Sequence, residues 1–138
     1  PYGKRIGVIY NYKNLLNVSN ALKNVHMSSG DFVNSLINIK QGDLVFLDPP
    51  YTVTHNNNGF IQYNKKIFSI DEQTRLSDMI TKIKEIGAIY IMTNAAHPKI
   101  KEIFNHGDSI FEVSRGSTIG GKHAKRGQFS EYIFTNGV

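Results

Sequence analysis

Asp48, Pro49, Pro50 and Tyr51 are the residues of this sequence whose types and spacing best suit chemistry. They follow the apolar run 44–47, which predicts a buried strand. The prolines end that strand because they fix φ and donate no N–H to a ladder. An acid, a carbonyl and a phenol ring then stand at the carboxyl end of a strand, where open α/β sheets bind ligands. Asp48 and the Pro49 carbonyl can accept the two hydrogens of an NH2 group, and Tyr51 can stack on the planar group that carries it.

Two further candidates lie at predicted element ends. Asp31 and Phe32 open a helix, where the acid would accept from an adenine amino group or a ribose hydroxyl and the ring would lie on a base. A plain helix cap explains Asp31 equally well. Asn94 is expected just past the next parallel strand, either in the same crevice as Asp48 or as the cap of the following helix.

A loop at 115–128 is rich in glycines and cations. Glycines let a backbone approach a ligand closely, and cations suit contacts with phosphate. A solvated charged loop is the alternative. The candidates for contacting phosphate are Arg115, Lys122, Lys125 and Arg126.

Composition bounds the class of protein. The 138 residues suit one domain, and the net charge of +5 permits a polyanionic partner without requiring one. There are no cysteines, which excludes disulfides and thiolate metal sites and is compatible with a reducing cytoplasm. No apolar run is long enough to cross a bilayer, and no histidines or carboxylates have the spacing of metal ligands. We therefore expect a cytoplasmic protein without a membrane span or a metal, and a monomer.

The pattern of apolar residues predicts an α/β fold. Ser69 and Gly87 are expected to begin and end a long helix between two parallel strands. The predicted elements are helices at 14–23, 32–39, 69–86 and 98–104, parallel strands at 43–47 and 88–93, a short strand at 25–27, and an antiparallel pair at the sheet edge, 109–114 with 129–135. Residues 1–13 are expected to be irregular, and 52–68 to form a long loop.

Taken together, these motifs resemble a known family. Asp48-Pro49-Pro50-Tyr51 is similar to the catalytic motif of the Dam-type (D12 class) DNA adenine-N6 methyltransferases, and Gly30-Asp31-Phe32 resembles their adenosine-contacting motif. Three further parts of the chain resemble the family as well. Pro1-Tyr2-Gly3 is similar to the segment that closes its target-recognition region, and Thr93-Asn94 resembles its following strand end. Its C-terminal hairpin is resembled by Arg115, Ser117, Ala124-Lys125-Arg126, Glu131-Tyr132-Ile133 and Thr135-Asn136.

The resemblance implies a Rossmann-like methyltransferase fold with S-adenosylmethionine as the methyl donor. Double-stranded DNA would be the substrate, with the target adenine flipped out of the duplex. Asp48, Pro49, Pro50 and Tyr51 would then be catalytic. Asp31, Phe32 and Asp48 would bind the cofactor, and the cations of the 115–128 loop would contact the DNA backbone.

The resemblance also implies that this is the C-terminal part of a larger enzyme of the kind found in restriction–modification. The family's Phe-x-Gly-x-Gly cofactor loop does not occur in these residues, nor does its sequence-reading region. Residues 1–13 would end the target-recognition region and 14–138 would belong to the catalytic part, with no turnover expected of the chain alone. The alternatives are an RNA base methyltransferase that uses the same tetrapeptide, and a non-catalytic nucleic-acid-binding remnant.

Overall fold

The computed structural model describes residues 10–52, 68–116 and 128–138, with the side chains of 115, 116, 128 and 129 outside this description. The chain divides into two compact units, Pro1–Gly30 and Asp31–Val138. Each unit is described by itself.

The first unit contains helix α1, Tyr12–Ala21, followed by a single 3-10 turn at Leu22–Asn24. The Asn11 side chain accepts a hydrogen bond from the Asn14 N–H and so caps α1. The helix therefore begins two residues earlier than predicted. The predicted strand at 25–27 was wrong, because these residues are neither helical nor paired in a sheet within the described chain.

The second unit is a mixed α/β layer. A 3-10 helix at Phe32–Asn38 begins after Asp31, whose side chain accepts from the Val33 N–H as predicted. The remaining elements are strand β1 (Leu44–Leu47), helix α2 (Ile70–Ile86), strand β2 (Ile89–Ala95), helix α3 (Pro98–Ile103), strand β3 (Ser109–Gly116) and strand β4 (Gln128–Thr135).

The strands form one four-stranded sheet in the order β1-β2-β4-β3. β1 and β2 are parallel and are connected through α2, whereas β4 runs antiparallel to both of its neighbours. The parallel pair and the antiparallel hairpin at the edge are therefore confirmed.

Helix α2 begins and ends where the sequence predicts. The Ser69 side chain accepts from the Glu72 N–H, and Gly87 closes the helix with a left-handed φ of 82°. The apolar stripe of α2 packs with one face of the sheet and with α3. The buried cluster includes Leu76, Met79, Ile80, Ile83, Tyr90, Met92, Ile100, Phe104 and Phe134.

The expectation of a fully buried β1 was wrong. Val45 and Leu47 turn toward the core, but Leu44 and Phe46 are 65% and 63% exposed. In the described sheet β1 is an edge strand, and alternate side chains of a strand point to opposite faces. Ile89, Phe111 and Val113 also carry exposed apolar side chains on the face of Leu44 and Phe46. We call these five residues the open sheet face.

Candidate active site

The corner that follows β1 places Asp48 at the end of the strand, open to solvent. Pro49 is buried, Tyr51 is partly buried, and Thr52 is buried again. Leu47 is in register with Met92 of the parallel neighbour, so Asp48 lies beside Thr93. The Thr93 hydroxyl donates a 2.8 Å hydrogen bond to Asp48 Oδ1. A carboxylate accepts more than one hydrogen bond, so this bond orients Asp48 without using its full capacity.

Asp48 is not part of any of the ion pairs formed among residues 10–52, 68–116 and 128–138. It lines a cavity of about 240 Å³ instead. The cavity walls are mainly apolar and are formed by Phe32, Phe46, Leu47, Asp48, Pro49, Pro50, Phe68 and Leu76. Four residues predicted to act in catalysis or cofactor binding are thus brought together in one place. Apolar walls with a single acid suit a flat ring that carries a hydrogen-bond donor.

Tyr51 is held among polar groups at the same end of the sheet. Burial raises the pKa of its phenol, and the negative charge of Glu131 raises that pKa further, with a smaller contribution from Asp48. A hydrogen bond with Glu131 adds to the increase, and the phenol also hydrogen-bonds with Thr93. The phenol is therefore neutral at physiological pH, and Glu131 and Thr93 restrain the position of its ring.

Asp31 is tied to helix α2. Its Oδ2 accepts from Arg75 Nη2 at 2.7 Å, and its Oδ1 accepts from the Val33 N–H at 3.0 Å. The hydrogen bond from Arg75, followed by that from Val33, lowers the pKa of Asp31. The Arg75 guanidinium also lies 5.1 Å from the centre of the Phe32 ring. Arg75 therefore holds both residues of the predicted adenosine motif in this arrangement.

Neither expectation for Asn94 was right. Strand β2 extends to Ala95, because Asn94 and Ala95 pair with β4 opposite Tyr132 and Glu131. Asn94 is fully buried in the strand, and its side chain donates to Gln73 rather than facing the crevice. Thr93, one residue earlier, is the β2 residue that contacts Asp48.

The predicted DNA-contacting side chains are not among those described. Arg115 belongs to β3, opposite Phe129 of β4, but its side chain lies outside the described part of the chain. Lys122, Lys125 and Arg126 lie outside the described residues altogether. The proposed role of these cations therefore remains a prediction.

Sequence reasoning did not identify several residues that hold this corner. Gln73 carried a signal, because it lies one turn before Leu76 and continues the apolar stripe of α2 with a polar side chain. Glu131 was noted only as part of the C-terminal hairpin. Thr52, Arg75 and the role of Thr93 depend on contacts between distant segments, and no local pattern reveals these.

Neither a metal site nor a membrane span is found among the described residues. Within the described ranges, no three His, Cys, Asp or Glu side chains are grouped so as to hold a metal ion. The helices found there are all too short or too polar to span a bilayer.

Comparison with known proteins assigns the chain to a class. Residues 1–119 match the family model described as D12 class N6 adenine-specific DNA methyltransferase. The chain is 30% identical over 139 aligned residues to the Type II methyltransferase M1.LlaDCHI of Lactococcus lactis subsp. cremoris, a match that covers 99% of this chain and 49% of the relative.

Two further relatives agree. The Type II methyltransferase M.MjaIII of Methanocaldococcus jannaschii is 32% identical over 127 residues, covering 91% of this chain and 44% of the relative. The DNA N-6-adenine-methyltransferase of Escherichia phage P1 is 37% identical over 84 residues, covering 61% and 11%. The chain spans about half or less of the length of these relatives. On the family match and these identities, the chain belongs to the D12 class of N6 adenine-specific DNA methyltransferases.

Proposed function

We propose that this chain supplies the catalytic corner of an enzyme that moves a methyl group from S-adenosylmethionine to N6 of adenine in double-stranded DNA. The observation that carries the proposal is the position of Asp48. Its carboxylate is exposed at the carboxyl end of β1, is oriented by Thr93, and lines an apolar cavity. The relatives, which are named as type II and N6-adenine DNA methyltransferases, support the same reaction class.

Asp48 and the Pro49 carbonyl would accept the two hydrogens of the adenine amino group. Both acceptors draw positive hydrogen toward themselves and so keep electron density on the nitrogen, which is the attacking atom. Catalysis of this kind is positioning and electrostatic stabilisation by fixed acceptors. Tyr51, restrained through Glu131 and Thr93, would stack on the face of the flipped base.

The residues around the cavity fit the cofactor of this family. Phe32 and Asp48 line the cavity and offer a ring face and a carboxylate. Asp31, next to Phe32 in the chain, offers a second carboxylate, whose lowered pKa keeps it ionised. These three residues would hold S-adenosylmethionine. When bound, that group supplies an electrophilic methyl on a sulfonium, and the chain's own residues orient the amine toward it.

The parallel β1–α2–β2 unit with its antiparallel hairpin supports a Rossmann-like catalytic domain. We propose that this chain is the C-terminal part of that domain. Residues 1–13 would end a target-recognition region and 14–138 would belong to the catalytic part. Arg115, Lys122, Lys125 and Arg126 would contact DNA phosphates, which lie on either side of a flipped base. By this proposal the chain alone binds cofactor weakly and does not turn over.

The test measures methyl transfer by the complete protein that contains this chain, with labelled S-adenosylmethionine and matched DNA and RNA duplexes. We expect DNA to be methylated at adenine N6, and Asp48→Ala to reduce the rate by roughly a hundredfold or more. Asp78→Ala, which removes an exposed acid of α2, is the matched control and should retain activity. Preferential methylation of RNA, or full activity in Asp48→Ala, would contradict the proposal.

A further inference from the structure

Three polar side chains are buried directly behind the catalytic corner. Gln73 and Asn94 are 0% exposed and Thr52 is 2% exposed. Burying a side-chain amide costs free energy unless its hydrogen-bonding groups are satisfied. An apolar residue at the position of Gln73 would continue the stripe of α2, so the presence of glutamine there calls for an explanation.

The hydrogen bonds of this cluster run in a defined order. Gln73 Nε2 donates to Thr52 Oγ1 at 2.9 Å and to the Pro50 carbonyl at 3.4 Å. Thr52 Oγ1 donates its single proton to the Phe68 carbonyl at 2.7 Å, so it can only accept from Gln73. This fixes which end of the Gln73 amide faces the corner. The other end, Oε1, accepts from Asn94 Nδ2 at 3.0 Å.

Through these bonds, Gln73 is connected to two segments of the proposed site, Pro50–Thr52 and strand β2. Pro50 and Thr52 flank Tyr51, and Gln73 holds both of them. Asn94 follows Thr93, whose hydroxyl orients Asp48. Gln73 itself stands on α2, which is capped at its start and packed into the core. The Gln73 amide therefore fixes the position of the tetrapeptide relative to α2.

We infer that Gln73 is a positioning residue for methyl transfer, which holds the segment Pro50–Thr52 and β2 in the relative positions that the reaction requires. This inference rests on the proposed function, because it assigns Gln73 a part in that reaction. Gln73 is not placed to touch the substrate, since its amide is fully buried and engaged with protein groups. Gln73 contributes by holding these two segments in position.

Ser77 provides the matched control. It lies one turn further along the same face of α2, is also buried, and also hydrogen-bonds across to another element, with the Ile103 carbonyl at 2.9 Å and His106 Nε2 at 2.7 Å. Neither of these partners belongs to the segment Pro50–Thr52 or to β2. Loss of a buried hydrogen bond is thus common to both positions, whereas contact with the tetrapeptide belongs to Gln73.

The experiment compares Gln73→Met and Ser77→Ala in the complete protein. Methionine keeps the length and adaptability of the side chain but has no N–H. We expect kcat for DNA methylation to fall roughly tenfold to a hundredfold in Gln73→Met, with the Kd for S-adenosylmethionine changed by no more than about twofold. Ser77→Ala should retain kcat even if it lowers Tm as much as Gln73→Met does. A second variant, Gln73→Leu, also lacks the N–H and replaces Gln73→Met if that protein does not fold. It should show the same fall in kcat.

A spectroscopic readout accompanies the kinetics. The ring signals of Tyr51, assigned with Tyr51→Phe in protein labelled at tyrosine, should shift in the Gln73 variants and stay in place in Ser77→Ala. If the Gln73 variants keep kcat, or lose no more of it than Ser77→Ala does, the positioning role is wrong while the proposed function stands. If the wild-type protein does not methylate DNA, the proposed function itself is wrong.

Discussion

Thr93 donates its hydroxyl hydrogen to Asp48 Oδ1 at 2.8 Å, and this bond joins the carboxyl ends of the two parallel strands. The register of β1 on β2 makes the contact possible, since it places the residue after Leu47 beside the residue after Met92. The acid of the tetrapeptide is therefore oriented by a residue from a segment that begins some forty positions further along the chain.

Removing this hydroxyl should impair the reaction without removing the acid. We expect Thr93→Val to reduce kcat of the complete protein roughly tenfold, because the carboxylate loses the donor that orients it. Thr93→Ser, which restores a hydroxyl, should recover most of the loss. Thr74→Val, at an exposed threonine of α2, is the control for the substitution type. Steady-state methylation kinetics measure all three, and an unaffected Thr93→Val would show that Asp48 is oriented by other means.

Burial is the main cause of the raised pKa of Tyr51, and Glu131 should raise that pKa further. Its negative charge and its hydrogen bond both raise the pKa of the phenol, so Glu131→Gln is expected to lower that pKa toward the ordinary value for tyrosine. A pH titration of protein carrying 13C at the tyrosine ζ carbon measures this, with Tyr51→Phe to assign the signal. Glu112→Gln on the neighbouring strand is the control. A Tyr51 pKa that does not change in Glu131→Gln would contradict the contact.

Tyr90 should make the folded state sensitive to alkali. Burial, followed by the hydrogen bond to Asp108 and the charge of Asp108, raises the pKa of Tyr90, which also shares that carboxylate with Lys84. A pKa that is higher in the folded than in the unfolded state stabilises the fold below the unfolded value and loses this contribution as pH rises above about 10. Tyr90→Phe should therefore lower stability by about 1 kcal/mol at neutral pH and show a smaller further loss at alkaline pH. Urea unfolding at several pH values checks both, and an equal alkaline loss in the two proteins would contradict the assignment.

Truncating Phe134 should cost more stability than truncating Phe111, an exposed phenylalanine of the same sheet. It is fully buried, with its ring 5.6 Å from that of Phe104 and 5.9 Å from that of Tyr132. We expect Phe134→Ala to lower the free energy of unfolding by about 3–5 kcal/mol, because it leaves a cavity in the core. Phe111, which is 49% exposed on the open sheet face, is the control. Phe111→Ala should cost markedly less in the same denaturant titration, and similar losses would mean that the two faces of the sheet are equally packed.

Local signals predicted much of the fold because they act over a few residues. Ser69 and Gly87 cap a helix whose stripe repeats every three to four residues, and Pro98 starts the short helix that follows. The antiparallel pair was likewise visible as alternation. The strand predicted at 25–27 failed, since a three-residue segment with two apolar side chains becomes a strand only when a partner pairs with it.

The candidate site likewise contains a part that local sequence signals predict and a part that they do not. The tetrapeptide is contiguous, so its residue types and its place after a strand could be read directly. The groups that orient it are distant in the sequence: Thr93 on β2, Gln73 on α2 and Glu131 on β4. Asn94 was misjudged for a related reason. Pairing with β4 lengthens β2 by two residues beyond the predicted end, and this turns the asparagine from the crevice into the interior.

The open sheet face and the net positive charge of the chain should respond in opposite ways to ionic strength. Attraction between its net positive charge and a polyanion weakens as salt is added. Association through apolar side chains does not rely on charge, and salt favours it by screening the repulsion between like-charged copies. As salt is added, light scattering should therefore rise while DNA retention falls. The two measurements together distinguish self-association of the polypeptide from its binding to nucleic acid.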